Sequence, residues 1–81
     1  MYLEIITPDK KVFAGEVVSA QFPGTNGSFE VLDLHAPLIS TLERGRIRVT
    51  SNTGQEFFMV DGGIVEVLNN KIIVLAESVT A

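Results

Sequence analysis

Residues 64–76 read IVEVLNNKIIVLA, and this stretch carries the clearest structural signal in the chain. Two runs rich in Val, Ile and Leu flank the pair Asn69-Asn70. Runs of this length and composition are typical of β-strands. Asparagine tolerates the left-handed backbone conformation that a tight hairpin needs. The stretch therefore predicts two strands, over residues 64–68 and 71–76, joined by a tight turn.

The rest of the chain repeats this pattern of short apolar runs and turn signals. Segments rich in Val, Ile, Phe and Thr are bounded by Gly, Pro, Asn or Asp, and helical periodicity is nearly absent. Such sequences are typical of an all-β sandwich or barrel. Since the 81 residues contain no linker and no repeat, we expect one domain. The remaining predicted strands cover residues 2–7, 11–14, 16–22, 28–32, 46–50 and 55–60.

Three glycine-containing segments are predicted to be turns. Residues 23–27, PGTNG, combine Pro, Asn and two Gly, and residues 51–54, SNTG, separate two predicted strands. Residues 61–63, DGG, predict a turn or a bulge. They lack the spacing, the lysine and the following helix of a phosphate-binding P-loop.

Two segments have a less regular pattern. Within residues 16–22, alternation places Val18, Ala20 and Phe22 on one face of a half-buried strand. Residues 37–45 are ambiguous, because an initial proline, two leucines four apart and a closing glycine fit a short helix. The Ile-Ser-Thr run inside the same segment favours a strand. The residues alone leave both conformations open.

The composition argues against several classes of function. Six Lys and Arg against ten Asp and Glu give a net charge of −4, which disfavours binding to nucleic acid phosphates. The chain has no cysteine and therefore no disulfide. With no cysteine and one histidine, it also has too few ligands for a transition-metal site. The longest apolar run, residues 72–76, is far shorter than the about 20 residues that cross a bilayer, and the start shows no basic leader. We expect a soluble, unexported protein without metal or cofactor.

His35 is the only histidine, and a lone imidazole invites a catalytic, metal or switch interpretation. Catalysis would need a nucleophile and an orienting carboxylate. Asp33 is the nearest carboxylate in sequence, but no nucleophile elbow or carboxylate pair stands out. Taken alone, the residue is best interpreted as a buried, hydrogen-bonded histidine. No catalytic residue is predicted, and the chain is not expected to be an enzyme.

Arg44, Arg46 and Arg48 alternate with Gly45 and Ile47. On a strand, all three guanidinium groups would project from one face. A solvated stripe neutralised by acidic neighbours is the favoured interpretation, and a phosphate site is disfavoured in so acidic a chain. An ion-pairing surface for another protein stays open as the alternative.

A carrier module of the lipoyl or biotinyl type is an alternative, because such domains are also small and all-β. Lys10 would be the modified lysine. It lies near the amino end and is followed by Lys11, whereas the lysine of a carrier domain sits on a hairpin near the middle of the chain. A generic β-sandwich module that binds another protein is the remaining alternative.

Four motifs stand out by their order and spacing. They are residues 23–27 (PGTNG), 35–38 (HAPL), 62–67 (GGIVEV) and 74–76 (VLA). Together they resemble the epsilon subunit of F-type ATP synthase. The resemblance covers nearly the whole chain, and the combination of HAPL with a later Gly-Gly-hydrophobe-x-Glu-Val is specific.

This resemblance implies a fold and a role. The fold would be a flattened ten-stranded β-sandwich of two five-stranded sheets, with residues 37–45 as a strand. The family's amino-terminal domain is a non-catalytic part of the rotor at the foot of the central stalk. It binds the gamma subunit and the membrane c-ring and couples proton translocation to ATP synthesis. The resemblance also implies a peripheral position at the cytoplasmic face of the bacterial inner membrane.

The resemblance further implies two contact sites. Thr7, His35, Ile39 and Ser40 would line the contact with the gamma subunit. Pro37 would hold that segment in one extended shape, because it fixes its own φ and restricts the residue before it. The loop from Asn26 to Glu30, including Ser28, would approach the c-ring.

The chain also departs from the family pattern. Asp33-Leu34 stands where many members have Pro-Gly, Glu30 stands where a glycine is common, and Ser28 replaces a frequent acidic residue. The acidic contact to the ring is therefore expected to have moved to Glu30, two residues along on the same strand face. Residues 1–81 are predicted to form the sandwich domain alone, without the family's carboxy-terminal helical hairpin.

Overall fold

The computed structural model describes residues 1–80, and within them the chain forms ten strands and no helix. Ala81, the last residue of the predicted domain, lies outside the described residues. The strands are β1 (Tyr2–Ile6), β2 (Lys11–Glu16), β3 (Ser19–Gly24), β4 (Gly27–Leu32), β5 (Leu38–Leu42), β6 (Gly45–Ser51), β7 (Gly54–Val60), β8 (Gly63–Leu68), β9 (Lys71–Ala76) and β10 (Val79–Thr80).

The strands form two five-stranded sheets. Sheet 1 has the order β5-β8-β9-β1-β2, and sheet 2 has the order β10-β7-β6-β3-β4. All neighbouring strands are antiparallel except β1 and β9, which are parallel. The two sheets join where β3 meets β5 through the single pair Gly24–Leu42. The predicted sandwich of two five-stranded sheets is confirmed.

The core lies between the sheets and follows from strand alternation. In sheet 1, for example, Leu3 pairs with Ile72, and Ile72 pairs with Val67, and all three side chains are buried. Phe13 of sheet 1 and Phe58 of sheet 2 meet edge to face with ring centroids 5.7 Å apart. Among residues 1–80 the buried side chains are all apolar, and each large one contributes about 1.5–3 kcal/mol to folding.

Strand β3 lies between β6 and β4 in sheet 2 and is also the strand that connects to sheet 1. It pairs with β4 along its length and with β6 over residues 19–21. Beyond these residues, the Pro23 carbonyl accepts a hydrogen bond from the Glu43 N–H at 2.9 Å. A Cβ at Gly24 would lie 2.7 Å from the Gly27 carbonyl oxygen, so this corner requires glycine. The prediction that all of residues 23–27 form a turn is therefore wrong, because β3 runs through Gly24 and only Thr25 and Asn26 turn.

The predicted strand over residues 16–22 is also wrong. Glu16 ends β2 and Ser19 begins β3. Between them the Val17 N–H donates to the Met1 carbonyl at 2.8 Å, and the Val18 N–H donates to the Thr50 carbonyl at 2.7 Å. The chain therefore crosses from sheet 1 to sheet 2 here, which leaves Val17 buried and Val18 exposed.

The other local predictions agree with the structure. Asn69 and Asn70 adopt φ of 52° and 61°, as predicted for the β8–β9 hairpin. The ambiguous residues 37–45 contain β5 and no helix, because β5 pairs with β8 along its length. Asn52 and Thr53 form the turn between β6 and β7, and Asp61 and Gly62 form a bend before β8.

The loop between β4 and β5 is held by the β8–β9 hairpin. The Asn70 side chain donates to the Asp33 carboxylate and accepts from the Leu34 N–H, each at 2.8 Å. Leu34 lies in the left-handed region, at φ of 64°, which costs an L-residue about 1–2 kcal/mol. The Asn70 hydrogen bond, followed by the Met1 amine at 3.3 Å, lowers the pKa of the Asp33 carboxyl. The hairpin thus fixes a loop conformation that leucine would otherwise avoid.

Gly63 generates the first testable prediction. Its φ is 148°, and a Cβ would overlap the Leu75 carbonyl and lie 3.0 Å from the Ala76 Cα. Gly54 has a similar φ of 137° but open space around the added Cβ. In urea unfolding followed by circular dichroism, Gly54→Ala should lower the free energy of unfolding by about 1–3 kcal/mol through backbone strain. Gly63→Ala should lower it by about 1–3 kcal/mol more through overpacking, and equal losses would contradict the close approach.

Asp33 generates a prediction of pH dependence. Because the folded state lowers the pKa of this carboxyl, its ionised form stabilises the fold. That contribution is complete above the ordinary carboxyl pKa of about 4. It is lost as the pH falls through the lowered value. Asp33→Asn should therefore flatten the acid limb of the stability curve below about pH 4 and leave the curve at neutral pH unchanged in shape. Asp9→Asn is the control, because Asp9 forms no ion pair within residues 1–80.

Candidate protein-docking surfaces

The outer face of sheet 1 exposes four large apolar side chains. Ile39 of β5, Ile64 and Leu68 of β8, and Leu75 of β9 all point away from the core. Ile64 and Leu75 are directly paired, and Leu75 pairs in turn with Ile6. We call this surface the apolar face. Ile39 pairs with exposed Glu66, and Leu68 pairs with exposed Lys71, so charged groups lie among the apolar ones. Clustered exposed apolar side chains of this kind mark interaction surfaces.

A polar group borders the apolar face on β1 and β2. The Glu4 carboxylate accepts hydrogen bonds from the Lys11 ammonium at 2.8 Å and from the Tyr2 hydroxyl at 2.9 Å. Lys11, followed by Tyr2, lowers the pKa of Glu4, and the hydrogen bond to Glu4 raises the pKa of Tyr2. The sheet therefore offers an apolar area beside a polar border, the arrangement found in protein interfaces.

Two of the residues predicted to contact the gamma subunit lie on this side of the molecule. Ile39 is 68% exposed on the apolar face. Thr7 follows the end of β1, where its hydroxyl hydrogen-bonds with the Lys10 backbone. Thr7 also lines an open, mostly apolar groove of about 420 Å³ that includes Ile6 and Leu75. The groove thus connects Thr7 with the apolar face.

The other two residues predicted at that contact are placed differently. His35 precedes β5 and is partly exposed, so its interpretation as a buried core histidine is wrong. Its Nδ1 lies 2.7 Å from the Ala36 carbonyl oxygen, and since a carbonyl can only accept, Nδ1 is the donor in this contact. Ser40 pairs with buried Val65 and points away from the face that carries Ile39. Thr7, His35, Ile39 and Ser40 therefore do not share one face.

The residues predicted at the c-ring lie on the β3–β4 hairpin. Asn26 is in its turn, and Ser28 and Glu30 pair with Pro23 and Gln21 on the outer face of sheet 2. Ser28 and Glu30 thus share a strand face, as predicted. The Glu30 carboxylate, however, accepts a hydrogen bond from the Arg48 guanidinium at 2.9 Å, so its charge is already paired within the chain.

The predicted stripe of three arginines is only partly formed. Arg46 and Arg48 project from the outer face of β6, but Arg44 lies before the strand begins. The Arg46 guanidinium lies over the Phe57 ring, 4.6 Å from its centroid, and Arg48 is paired with Glu30. The prediction that all three project from one strand face is therefore wrong.

Sequence reasoning did not identify Ile64, Leu68 and Leu75 as surface residues. The sequence does contain a signal for them, because every residue from 72 to 76 is apolar, so both faces of this strand are apolar. A continuous apolar run is typical of a strand that is covered on both faces. One face of β9 packs on the core, so the apolar residues on its other face are expected to contact another protein.

Residues 1–80 contain no cluster of three or more His, Cys, Asp or Glu side chains arranged to hold a metal ion. Within the same part of the chain, no helix is long and apolar enough to cross a bilayer.

Comparisons with known proteins identify the family. The family described as "ATP synthase, Delta/Epsilon chain, beta-sandwich domain" matches residues 1–81. The ATP synthase epsilon chains of Chlorobaculum tepidum and Chlorobium limicola are 44% and 42% identical over 79 residues, which cover 96% of this chain and 90% of each relative. That of Desulforamulus reducens is 42% identical over 78 residues, which cover 94% of this chain and 58% of the relative.

Solved structures show the same fold. A chain of the Euglena gracilis mitochondrial ATP synthase, in a structure of OSCP, F1 and c-ring, superposes with a TM-score of 0.90 at 18% identity, covering 96% of this chain and 51% of its own length. A chain from the central stalk and c-ring of Tetrahymena thermophila gives 0.86 at 15% identity, with coverages of 99% and 65%. Because the family matches the whole chain, the carrier-domain alternative is set aside. The chain belongs to the ATP synthase epsilon chain family, whose members are non-catalytic subunits, and it forms that family's β-sandwich domain.

Proposed function

We propose that this chain is a rotor subunit of a bacterial F-type ATP synthase. It links the gamma subunit to the c-ring at the cytoplasmic face of the inner membrane and couples proton translocation to ATP synthesis. The observation that carries the proposal is the apolar face, which a domain with a complete core of its own leaves uncovered. A partner that covers this face gains about 25 cal/mol for each Å² of apolar surface removed from water.

The gamma subunit binds the apolar face. Ile39, on the edge strand β5, is its most exposed large side chain, at 68%. The polar group of Tyr2, Glu4 and Lys11 borders the opposite side of the face, on β1 and β2. Apolar residues surrounded by polar ones usually contribute most of the binding energy of an interface. The groove beside Thr7 extends the surface to the end of β1.

The c-ring contacts the β3–β4 hairpin. Ser28 and Glu30 lie on the outer face of sheet 2, whereas the apolar face belongs to sheet 1, so both partners can bind at the same time. Strand β3 is hydrogen-bonded to both sheets. A force applied to the hairpin therefore reaches sheet 1 through backbone hydrogen bonds, as a coupling subunit requires.

The gamma contact is tested by Ile39→Asp. A carboxylate buried at an apolar interface loses hydration without gaining a partner, so binding should weaken by about thirtyfold or more. Calorimetry with the alpha-beta-gamma complex depleted of its epsilon chain measures the affinity. The matched control is Met59→Asp, at an exposed residue on the outer face of sheet 2. Equal affinities for the two variants and the unmodified protein would refute the assignment of the apolar face.

The ring contact is tested by Glu30→Lys together with Arg48→Gln. If Glu30 contacts the ring, Glu30→Lys should impair ATP-driven proton pumping in inverted membrane vesicles, and Arg48→Gln should not. If Glu30 acts only through its pair with Arg48, both variants should be impaired alike. Gamma binding should be unchanged in both variants, because the hairpin lies on the other sheet.

A further inference from the structure

Leu34 is exposed to an unusual degree for a residue that is held so firmly. Its side chain is 80% exposed, the largest value among the exposed large apolar side chains of residues 1–80. Its backbone is in the left-handed region, with φ of 64°. Bulky residues in this region are genuine outliers, and such outliers cluster at functional sites.

The conformation of Leu34 is maintained from a distant part of the chain. The Asn70 side chain accepts the Leu34 N–H at 2.8 Å and donates to the neighbouring Asp33 carboxylate at 2.8 Å. These hydrogen bonds span 36 and 37 residues of sequence. The His35 N–H also closes the loop by donating to the Leu32 carbonyl at 3.1 Å. The backbone from which the leucine projects is therefore fixed before any partner arrives.

The domain itself gains little from a leucine at this position. Glycine would adopt the same backbone without steric strain, and an 80% exposed side chain contributes little to the core. The Asn70 side chain would accept the same backbone hydrogen bond from any residue other than proline at position 34. The leucine side chain is thus better explained by a partner than by the stability of the fold.

The position of Leu34 favours one partner over the other. It lies beside the β8–β9 hairpin through its bond to Asn70, at the end of sheet 1 where His35 and Leu68 also lie. The turn of the β3–β4 hairpin is at the other end of β4, about 20 Å away for six residues of strand. Leu34 therefore lies beside the β8–β9 end of sheet 1, the sheet that carries the apolar face, and is remote from the proposed ring contact.

We propose that Leu34 is an apolar anchor that inserts into a pocket of the gamma subunit. This inference rests on the proposed function. An anchor held in its bound conformation loses little conformational freedom on binding, and a few such anchors carry most of the energy of an interface. Asn70 is the positioning residue for this anchor, because it holds the backbone from which the leucine projects.

The test is calorimetry with the alpha-beta-gamma complex depleted of its epsilon chain. Leu34→Asn keeps a residue that tolerates the left-handed region but removes the apolar side chain, so the Kd should rise about tenfold or more. Leu34→Met should change it by less than about threefold. Leu34→Gly should raise the melting temperature of the isolated chain, because the strain is relieved, and should still weaken binding. Leu32→Ala, at an exposed residue of sheet 2, should have no effect.

Wild-type affinity in both Leu34→Asn and Leu34→Gly would overturn the anchor. If Ile39→Asp weakens binding in the same experiment, the proposed function stands and only the role of Leu34 fails. If the unmodified chain does not bind the complex, the proposed function and the anchor fail together. A melting temperature that falls in Leu34→Gly would show that the leucine supports the fold, which also overturns the inference.

Discussion

The architecture depends on the close approach of backbones at Gly24. This residue ends β3, pairs with Gly27 of β4 and is the only residue of β3 paired with β5. There is no room for a Cβ on Gly24, and a Cβ on neighbouring Gly45 would lie 2.7 Å from the Pro23 Cβ. Backbone pairing at this corner links β3 of sheet 2 with β5 of sheet 1. The two sheets are therefore joined by the main chain as well as by core packing. The proposed transmission of force between two partners relies on this connection.

The local pattern of the sequence predicts most strands but not the points where the chain changes sheet. The Asn69-Asn70 hairpin follows from two residues and their conformational preferences. The break at Val17 and Val18 does not, because it depends on hydrogen bonds to Met1 and to Thr50, which only the folded chain brings near. The strand character of residues 37–45 likewise depends on pairing with β8, more than 20 residues away in the sequence.

The candidate surfaces show the same division between local and long-range information. Ile39 was identified from a motif, whereas Ile64, Leu68 and Leu75 become a surface only when β5, β8 and β9 lie side by side. The pairing of Glu30 with Arg48 joins residues 18 apart, so the free charge expected from the sequence is already neutralised. Single contact residues can therefore be predicted from the sequence more readily than the surface that several strands form together. The same holds for ion pairs between residues that are distant in the sequence.

The parallel pairing of β1 with β9 has a consequence for how the chain folds. β1 precedes the other nine strands in the sequence, yet it lies in the interior of sheet 1, between β2 and β9. During synthesis it can form a hairpin with β2 at once, but its other edge stays open until residues 71–76 have left the ribosome. Closing this pair also requires a loop of about 70 residues, which makes folding slow because loop entropy is lost before the contacts form. The nascent chain therefore leaves one edge of an apolar strand unpaired for most of its synthesis, and an unpaired edge of this kind favours aggregation.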